Sequence, residues 1–136
     1  MNDKLIQLEL NRKLIFKKLK KLGNFRRGTI SIRYRKCGKK NCSCTKTGNI
    51  GHGPYYEWTT TINKKSYAKN LKIGPQLQKY KEETENYLTF NKLYNELLEV
   101  NEEICDLIPP AELNHKEEEV LKKKLQKYFR QKLKKK

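Results

Sequence analysis

The residues with the clearest chemical potential are the cysteines and the histidine of one short segment. Cys37, Cys42 and Cys44 lie within eight residues in a C-x4-C-x-C arrangement, and His52 follows eight positions after Cys44. A free cysteine ordinarily behaves as a small buried hydrophobe, so three of them in a loop rich in glycine and lysine need another explanation. A structural Zn²⁺ takes four tetrahedral ligands, and three cysteines with one histidine is a standard set. The spacing therefore predicts one zinc ion bound by these four residues.

Other chemistry is compatible with the same side chains. A disulfide between Cys37 and either Cys42 or Cys44 is one alternative, although nothing in the sequence indicates an oxidising compartment. A redox-sensing or catalytic thiol is another, because the lysines nearby lower thiol pKa values. The simplest alternative is three reduced cysteines and a histidine that caps a turn between its flanking glycines. Zinc is the interpretation that accounts for all four side chains together.

Charge is distributed unevenly along the chain, which has 136 residues and a formal net charge of +17. Residues 1–22 carry 7 basic and 2 acidic side chains, and residues 23–74 carry 12 basic side chains against Glu57 alone. Residues 75–115 carry 3 basic and 9 acidic side chains, whereas residues 116–136 carry 10 basic and 3 acidic ones. A positive field of this size around the cysteines points to a polyanionic partner, either DNA or RNA.

The candidate phosphate contacts are the arginines and lysines beside the cysteines. Apolar and polar residues alternate over Gly28–Lys36, so Arg33 and Arg35 are expected on the face opposite the apolar side chains. Arginine suits phosphate because its planar fork grips two oxygens at once. The full candidate set is Arg26, Arg27, Arg33, Arg35, Lys36, Lys39, Lys40 and Lys46.

The hydrophobic pattern predicts an α+β fold. Apolar residues have helical spacing over residues 3–22, and Gly23 is the stop signal of the predicted helix. A small antiparallel sheet is predicted to follow, with the cysteine loop between its first two strands. A sheet this small needs a staple and a covering helix, which gives zinc a structural role. The predicted strands are Gly28–Lys36, Tyr55–Ile62 and Ser66–Ile73, with a turn at Asn63-Lys64-Lys65. The side chains expected to face the core are Ile30, Ile32, Tyr34, Tyr67, Leu71 and Ile73.

The longest predicted helix starts at Gly74-Pro75 and runs to about Leu107. Its apolar and aromatic residues follow a coiled-coil-like heptad that contains Asn101. The stripe is ~45 Å long at the helical rise per residue, longer than the sheet can cover. It is therefore expected to meet the first helix, the last helix or another chain. The interface candidates are Tyr87, Phe90, Tyr94 and Leu97.

Four segments follow from these patterns. They are an N-terminal amphipathic helix (1–22), a basic zinc-binding β module (23–74), the long helix (75–108) and a basic C-terminal helix or tail (111–136).

Three short motifs resemble the signature of an uncharacterised bacterial and phage family, a domain of unknown function. That signature reads RGS…CGKxxCxC…HGPYY, and here Thr29 stands in place of its serine. The resemblance covers residues 26 to about 100 and implies that His52 and the tyrosines after it belong with the cysteines. It implies a protein of a phage or mobile element but no particular activity. The matching runs are Arg27–Thr29, Cys37–Cys44 and His52–Tyr56.

The expected function is a non-enzymatic, zinc knuckle-like accessory protein that binds the phosphate backbone of DNA or RNA. Four ligands close the zinc coordination sphere, and the basic module has neither paired carboxylates nor the H-x-E arrangement of zinc deaminases. The alternative is an assembly subunit that docks its long helix on a larger protein such as a transposase or nuclease. A homodimer of the chain is a further candidate assembly.

The expected location is the cytoplasm, with no membrane partner. No apolar run approaches the ~20 residues that a membrane-spanning helix needs, and the N-terminal residues lack the pattern of a signal peptide. Reduced cysteines available to a metal fit the same compartment.

Overall fold

Three helices and a three-stranded sheet make up the computed structural model, which describes residues 3–134. Their order confirms the predicted α+β fold. Met1, Asn2, Lys135 and Lys136, which belong to the predicted first and last segments, lie outside the described residues. The elements are α1 (Asp3–Lys21), β1 (Thr29–Arg35), β2 (His52–Ile62), β3 (Lys65–Leu71), α2 (Pro75–Leu107) and α3 (His115–Lys134).

The chain divides into two units, the first ending at Ile104 and the second beginning at Cys105. Helix α3 belongs to the second unit and starts four residues later than predicted. The side chain of Asn114 caps it by accepting a hydrogen bond from the backbone N–H of Glu117 at 2.8 Å. Within residues 3–134 no helix is both long and apolar enough to cross a membrane. The exposed apolar side chains of α3 are Val120, Leu121, Leu125, Tyr128, Phe129 and Leu133.

The sheet is an antiparallel meander with β2 in the centre. A two-residue turn joins β2 to β3, and both of its residues have positive φ, 52° at Asn63 and 66° at Lys64. Turns of that handedness match the right-handed twist of the strands they connect. Lys65 is therefore already part of β3, opposite Ile62, and the predicted three-residue turn is one residue too long.

Trp58 anchors the inner face of the sheet, the face turned toward α2. Its ring lies edge-on to Tyr80 of α2, with 5.6 Å between the ring centroids. Its indole N–H donates to the backbone carbonyl of Arg27 at 3.0 Å. The indole also lies across Gly28, where a Cβ atom would come within 2.2 Å of Trp58 Nε1. This position accepts only glycine, because any side chain there would displace the tryptophan.

Only part of the inner face is covered. Leu71 is buried and Ile30 is half-buried, as predicted. The prediction of core positions is wrong for Ile32, Tyr34, Tyr67 and Ile73, because 62%, 44%, 46% and 75% of these residues are exposed, respectively. The sheet is wider than the helix that covers it. Three strands spaced about 4.8 Å apart make a sheet about 14 Å wide, whereas one helix is about 10 Å across and leaves the edges of the sheet open. Ile73 in addition lies beyond the end of β3.

Helix α1 runs antiparallel to α2, so the expected contact between the long helix and the first helix is confirmed. Arg12 of α1 donates to Asn101 Oδ1 at 3.1 Å, whereas Asn24, just after α1, accepts a hydrogen bond from Asn86 at 2.8 Å. The polar residue of the predicted coiled-coil seam is thus satisfied within the chain. The buried apolar side chains of this pair are Leu8, Ile15, Leu93 and Ile104.

Arg26 joins the chain before β1 to α2. Its Nε donates to Glu83 Oε1 at 2.8 Å, and its guanidinium lies 3.9 Å from the centroid of the Tyr80 ring. Its backbone N–H also donates to the carbonyl of Glu83 at 3.1 Å. The Arg26 side chain is only 30% exposed. Arg26 is therefore engaged in packing, which makes it the least available of the eight candidate phosphate contacts.

Replacing Arg26 by alanine is expected to lower the free energy of unfolding by about 2 kcal/mol, because the buried Glu83 carboxylate loses a charged hydrogen bond. A hydrogen bond from Lys79, and Arg26 beside it, hold the pKa of Glu83 below its ordinary 4.5. A carboxylate with a lowered folded-state pKa stabilises the fold above its ordinary pKa and loses that effect as the pH falls through the folded value.

Urea unfolding at pH 7 and again at about pH 3 tests this prediction. The difference between wild type and Arg26→Ala should shrink in acid. Arg27→Ala is the matched control, since Arg27 is exposed and contacts Trp58 through its backbone carbonyl, which the substitution keeps. Equal destabilisation by the two substitutions would contradict the role given to Arg26.

Candidate metal centre

The centre lies where β1 ends and β2 begins. His52 is the first residue of β2 and pairs with Arg35, and Cys37 follows two residues after β1. Gly51 has φ 101°, and a Cβ atom there would lie 2.7 Å from the carbonyl carbon of Arg35. The close approach of the two strands at this point therefore requires glycine, and it brings His52 beside Cys37.

Short turns return the other two cysteines to the same place. The backbone N–H of Cys42 donates to the carbonyl of Lys39 at 3.3 Å. Thr45 then donates to the carbonyl of Cys42 twice, from its backbone N–H at 3.1 Å and from its hydroxyl at 2.8 Å. A 3₁₀ turn over Ser43–Thr45 results, with Cys44 at its middle. The turn thus brings Cys42 and Cys44 into one cluster with Cys37 and His52.

The four donor atoms already have the spacing of a tetrahedral site. All lie within 4.8 Å of one another. Cys37 Sγ is 3.6 Å from Cys44 Sγ, and Cys42 Sγ is 3.2 Å from His52 Nε2. Ligands at zinc distances of about 2.0 to 2.3 Å stand roughly 3.5 to 3.8 Å apart in a tetrahedron. The residues therefore fit a Cys₃His zinc ion with little rearrangement. All four cysteines of the chain are free, so the alternative disulfides are not formed.

The four ligand candidates differ from one another in solvent exposure and in the direction of their pKa shifts. Cys44 is 2% exposed, whereas Cys37 and His52 are exposed. A backbone hydrogen bond from Lys39 and a side-chain one from His52 lower the pKa of Cys37 to about 6. Hydrogen bonds to the thiols of Cys37 and Cys42 raise the pKa of His52. A backbone hydrogen bond from Cys37 lowers the pKa of Cys44, but burial and the neighbouring thiols outweigh it and raise that pKa overall.

Zinc affinity is expected to rise with pH by roughly tenfold or more per unit between about pH 6 and 9, since binding displaces at least one proton. The pKa of Cys37, lowered to about 6, lies below neutral pH, so this ligand contributes little to the proton release. Cys44, with its raised pKa, must give up a proton to the solvent when the metal binds. Competition against a chromophoric zinc chelator at several pH values measures this slope. An affinity independent of pH would contradict a thiolate site.

The cations of the basic module face solvent. Lys36, Lys39, Lys40 and Lys46 are all exposed, as is Arg27 before β1. Arg33 and Arg35 lie on the outer face of the sheet, the face opposite Trp58, with side chains 54% and 53% exposed. Seven of the eight candidate phosphate contacts are therefore exposed to solvent, although Arg27 lies at the opposite end of β1 from the metal centre, and Arg26 is the one that packs within the fold.

Glu57 was missed as a functional residue by the sequence reasoning. Its two carboxylate oxygens each hold one arginine, Arg33 Nε at 3.0 Å and Arg35 Nη2 at 2.9 Å. The Glu57 side chain is 14% exposed and lies between them. The available signal was its isolation, as the one acidic residue among 12 basic ones over residues 23–74. Glu57 fixes the direction of two otherwise flexible cationic side chains.

Some of the predicted interface residues of α2 are already packed against other residues of the same chain. Phe25, which the sequence reasoning did not single out, stacks on Phe90 with 4.6 Å between the ring centroids. Tyr87 and Leu97 are half-buried, and Tyr94 is 46% exposed. Phe90 also stacks on both tyrosines at 6.4 and 6.1 Å. The docking of this stripe on another protein stays a prediction, with Tyr94 as its most accessible part.

Comparison with known proteins gives one match. A family model with the description "Domain of unknown function (DUF6788)" matches residues 5–74, just over half of the chain. The match spans α1, the sheet and the whole metal centre, and it stops where α2 begins. It therefore includes most of α1, which the sequence resemblance left out, and excludes residues 75 to about 100, which the resemblance included. No curated protein and no solved structure matches the chain.

Proposed function

The chain belongs to the DUF6788 family, a domain of unknown function, and we propose that it is a non-enzymatic accessory protein that binds nucleic acid. The basic surface around a zinc centre would contact the phosphate backbone. The observation that carries this proposal is the position of the cations: the loop held by the four metal-ligand candidates and the outer face beside it present Arg and Lys side chains to solvent.

Zinc would act as a staple for this surface. With three thiolates and a neutral imidazole, a bound Zn²⁺ leaves one net negative charge, which the lysines of the loop outweigh. The four protein ligands fill the coordination sphere, which suits a structural site and supports a non-enzymatic role. The loop that carries Lys39, Lys40 and Lys46 has little regular structure of its own. A cross-link at Cys37, Cys44 and His52 would hold those lysines in a constant arrangement.

The arginine pair on the outer face supplies the second part of the surface. Glu57 uses one donor of Arg33 and one of Arg35, and each guanidinium has five N–H donors. The remaining donors are available to phosphate oxygens. Because Glu57 already holds both side chains in place, less side-chain entropy is lost when they grip a phosphate.

The proposal includes the source of the protein and its cellular compartment. The RGS…CGKxxCxC…HGPYY-like motifs support a phage or mobile element as the source. Thiolate ligands need a reducing compartment, so we propose the cytoplasm as the location.

Replacing Arg33, Arg35 and Lys39 by glutamine is expected to weaken binding to nucleic acids of every sequence alike, because phosphate contacts carry no sequence information. The slope of log affinity against log salt is negative, and its magnitude should fall by about three, one for each cationic side chain removed. Fluorescence anisotropy with labelled oligonucleotides at several salt concentrations measures both effects, and metal analysis confirms that zinc is retained.

The matched control removes three charges elsewhere, by Lys13→Gln, Lys17→Gln and Lys92→Gln on the exposed sides of α1 and α2. This variant has the same net charge as the first. Equal weakening by both would mean that overall charge, not the zinc module, attracts nucleic acid. Binding that ignores salt and both sets of substitutions would favour the assembly subunit, with the exposed stripe around Tyr94 as its docking surface.

A further inference from the structure

A small pocket lies beside the metal centre on the outer face of the sheet. It has a volume of about 300 Å³, at the lower end of the range for ligand pockets. It is open to solvent and close to the arginines held by Glu57. Its lining residues are Arg35, Lys36, Cys37, His52, Tyr55 and Asn70.

The sheet register explains why these side chains meet. Arg33 pairs with Tyr55, and Asn70 pairs with Glu57, so Tyr55, Asn70 and the two arginines project from the same outer face. Helix α2 covers the opposite face through Trp58. Tyr55 is 44% exposed, and it stacks on no other ring among residues 3–134. An aromatic ring is therefore presented to solvent beside fixed cations.

The chemistry of the pocket matches one unpaired nucleotide. A tyrosine ring offers a face for stacking a base, a contact that single-strand-binding proteins use repeatedly. The side-chain amide of Asn70 offers both a donor and an acceptor to a base edge. Arg35 and Lys36, which line the same pocket, would supply the positive charge for the phosphate attached to that base. Bases inside a duplex are already stacked on their neighbours, so they cannot occupy such a pocket without being extruded.

We propose that the outer face binds single-stranded nucleic acid and that this pocket holds one unpaired base stacked on Tyr55. The inference rests on the proposed function and adds the class of nucleic acid and the residue that selects it. Cations alone attract single strands and duplexes alike. Tyr55 adds a contact that only an unpaired base can make.

Replacing Tyr55 by leucine is expected to weaken binding of a single-stranded oligonucleotide roughly tenfold or more. Binding of a duplex of the same length should not change, nor should the salt slope for either. Tyr55→Phe keeps the ring and should restore single-strand affinity. Tyr67→Leu is the matched control, because Tyr67 is similarly exposed at 46% but does not line the pocket.

Anisotropy at several salt concentrations, on protein whose zinc content is verified, separates the outcomes. Selective loss of single-strand binding in Tyr55→Leu, with rescue by Tyr55→Phe, supports the pocket. Equal loss for both nucleic acids, no loss, or the same loss in Tyr67→Leu overturns it and leaves the proposed function standing. Failure of the wild-type protein to bind either nucleic acid overturns both.

Discussion

Replacing Cys44 by serine is expected to abolish zinc binding, whereas the wild-type protein should hold one Zn²⁺ per chain. Cys44 is the most buried of the four ligand candidates, at 2% exposure, and lies at the centre of the 3₁₀ turn. A serine hydroxyl is neither deprotonated at neutral pH nor a usual zinc ligand. Structural zinc contributes an apparent ~10–16 kcal/mol to small zinc-finger peptides near pH 7, so loss of a ligand removes most of the stabilisation of this loop.

Metal analysis after purification without chelator, together with thermal unfolding with and without added chelator, tests this expectation. Cys105→Ser is the matched control, since Cys105 is an exposed cysteine of α2 outside the cluster. It should retain one zinc and an unchanged melting temperature. A wild-type protein that is fully stable and contains no metal would contradict the zinc assignment. His52→Ala shows whether the histidine is a ligand, because retention of tight zinc there would leave three cysteines and a water as the better description.

Affinity for nucleic acid is expected to fall by about 10³-fold or more between about 50 and 200 mM salt, on the assumption of roughly six phosphate contacts. The seven exposed cations in and beside the module can supply that number. Each neutralised phosphate releases condensed counterions, and the gain from that release shrinks as the bulk salt concentration rises. The slope of log affinity against log salt should be near −5 for a duplex with six contacts, and shallower for a single strand.

Anisotropy titrations at four or more salt concentrations measure the slope directly. Zinc content and circular dichroism at each concentration show that the protein itself does not change. The Arg33, Arg35 and Lys39 glutamine variant provides the internal comparison, with a slope that is less negative by about three. A wild-type slope close to zero would mean that phosphate contacts do not drive association, and the proposed function would then be wrong.

Features encoded by neighbouring residues could be predicted from the sequence alone. The four ligand candidates were identified by their spacing, and the structure brings their donor atoms within 4.8 Å. The long helix was expected from Pro75 to about Leu107 and has those bounds. Periodicity, turn residues and prolines act over a few positions, so these patterns are legible without knowledge of the fold.

The roles of individual charged and apolar side chains were decided by the tertiary structure. Arg26 and Arg33 are both arginines of the basic module, yet Arg26 packs on Tyr80 and pairs with Glu83, which is 57 positions away. Ile32 has the same alternation as Ile30 but is exposed, because α2 is narrower than the sheet. A charged side chain needs water or an ion-pair partner, and an apolar side chain needs burial against other apolar groups. Which of these it obtains depends on what distant segments bring to its side, and only the folded chain determines that.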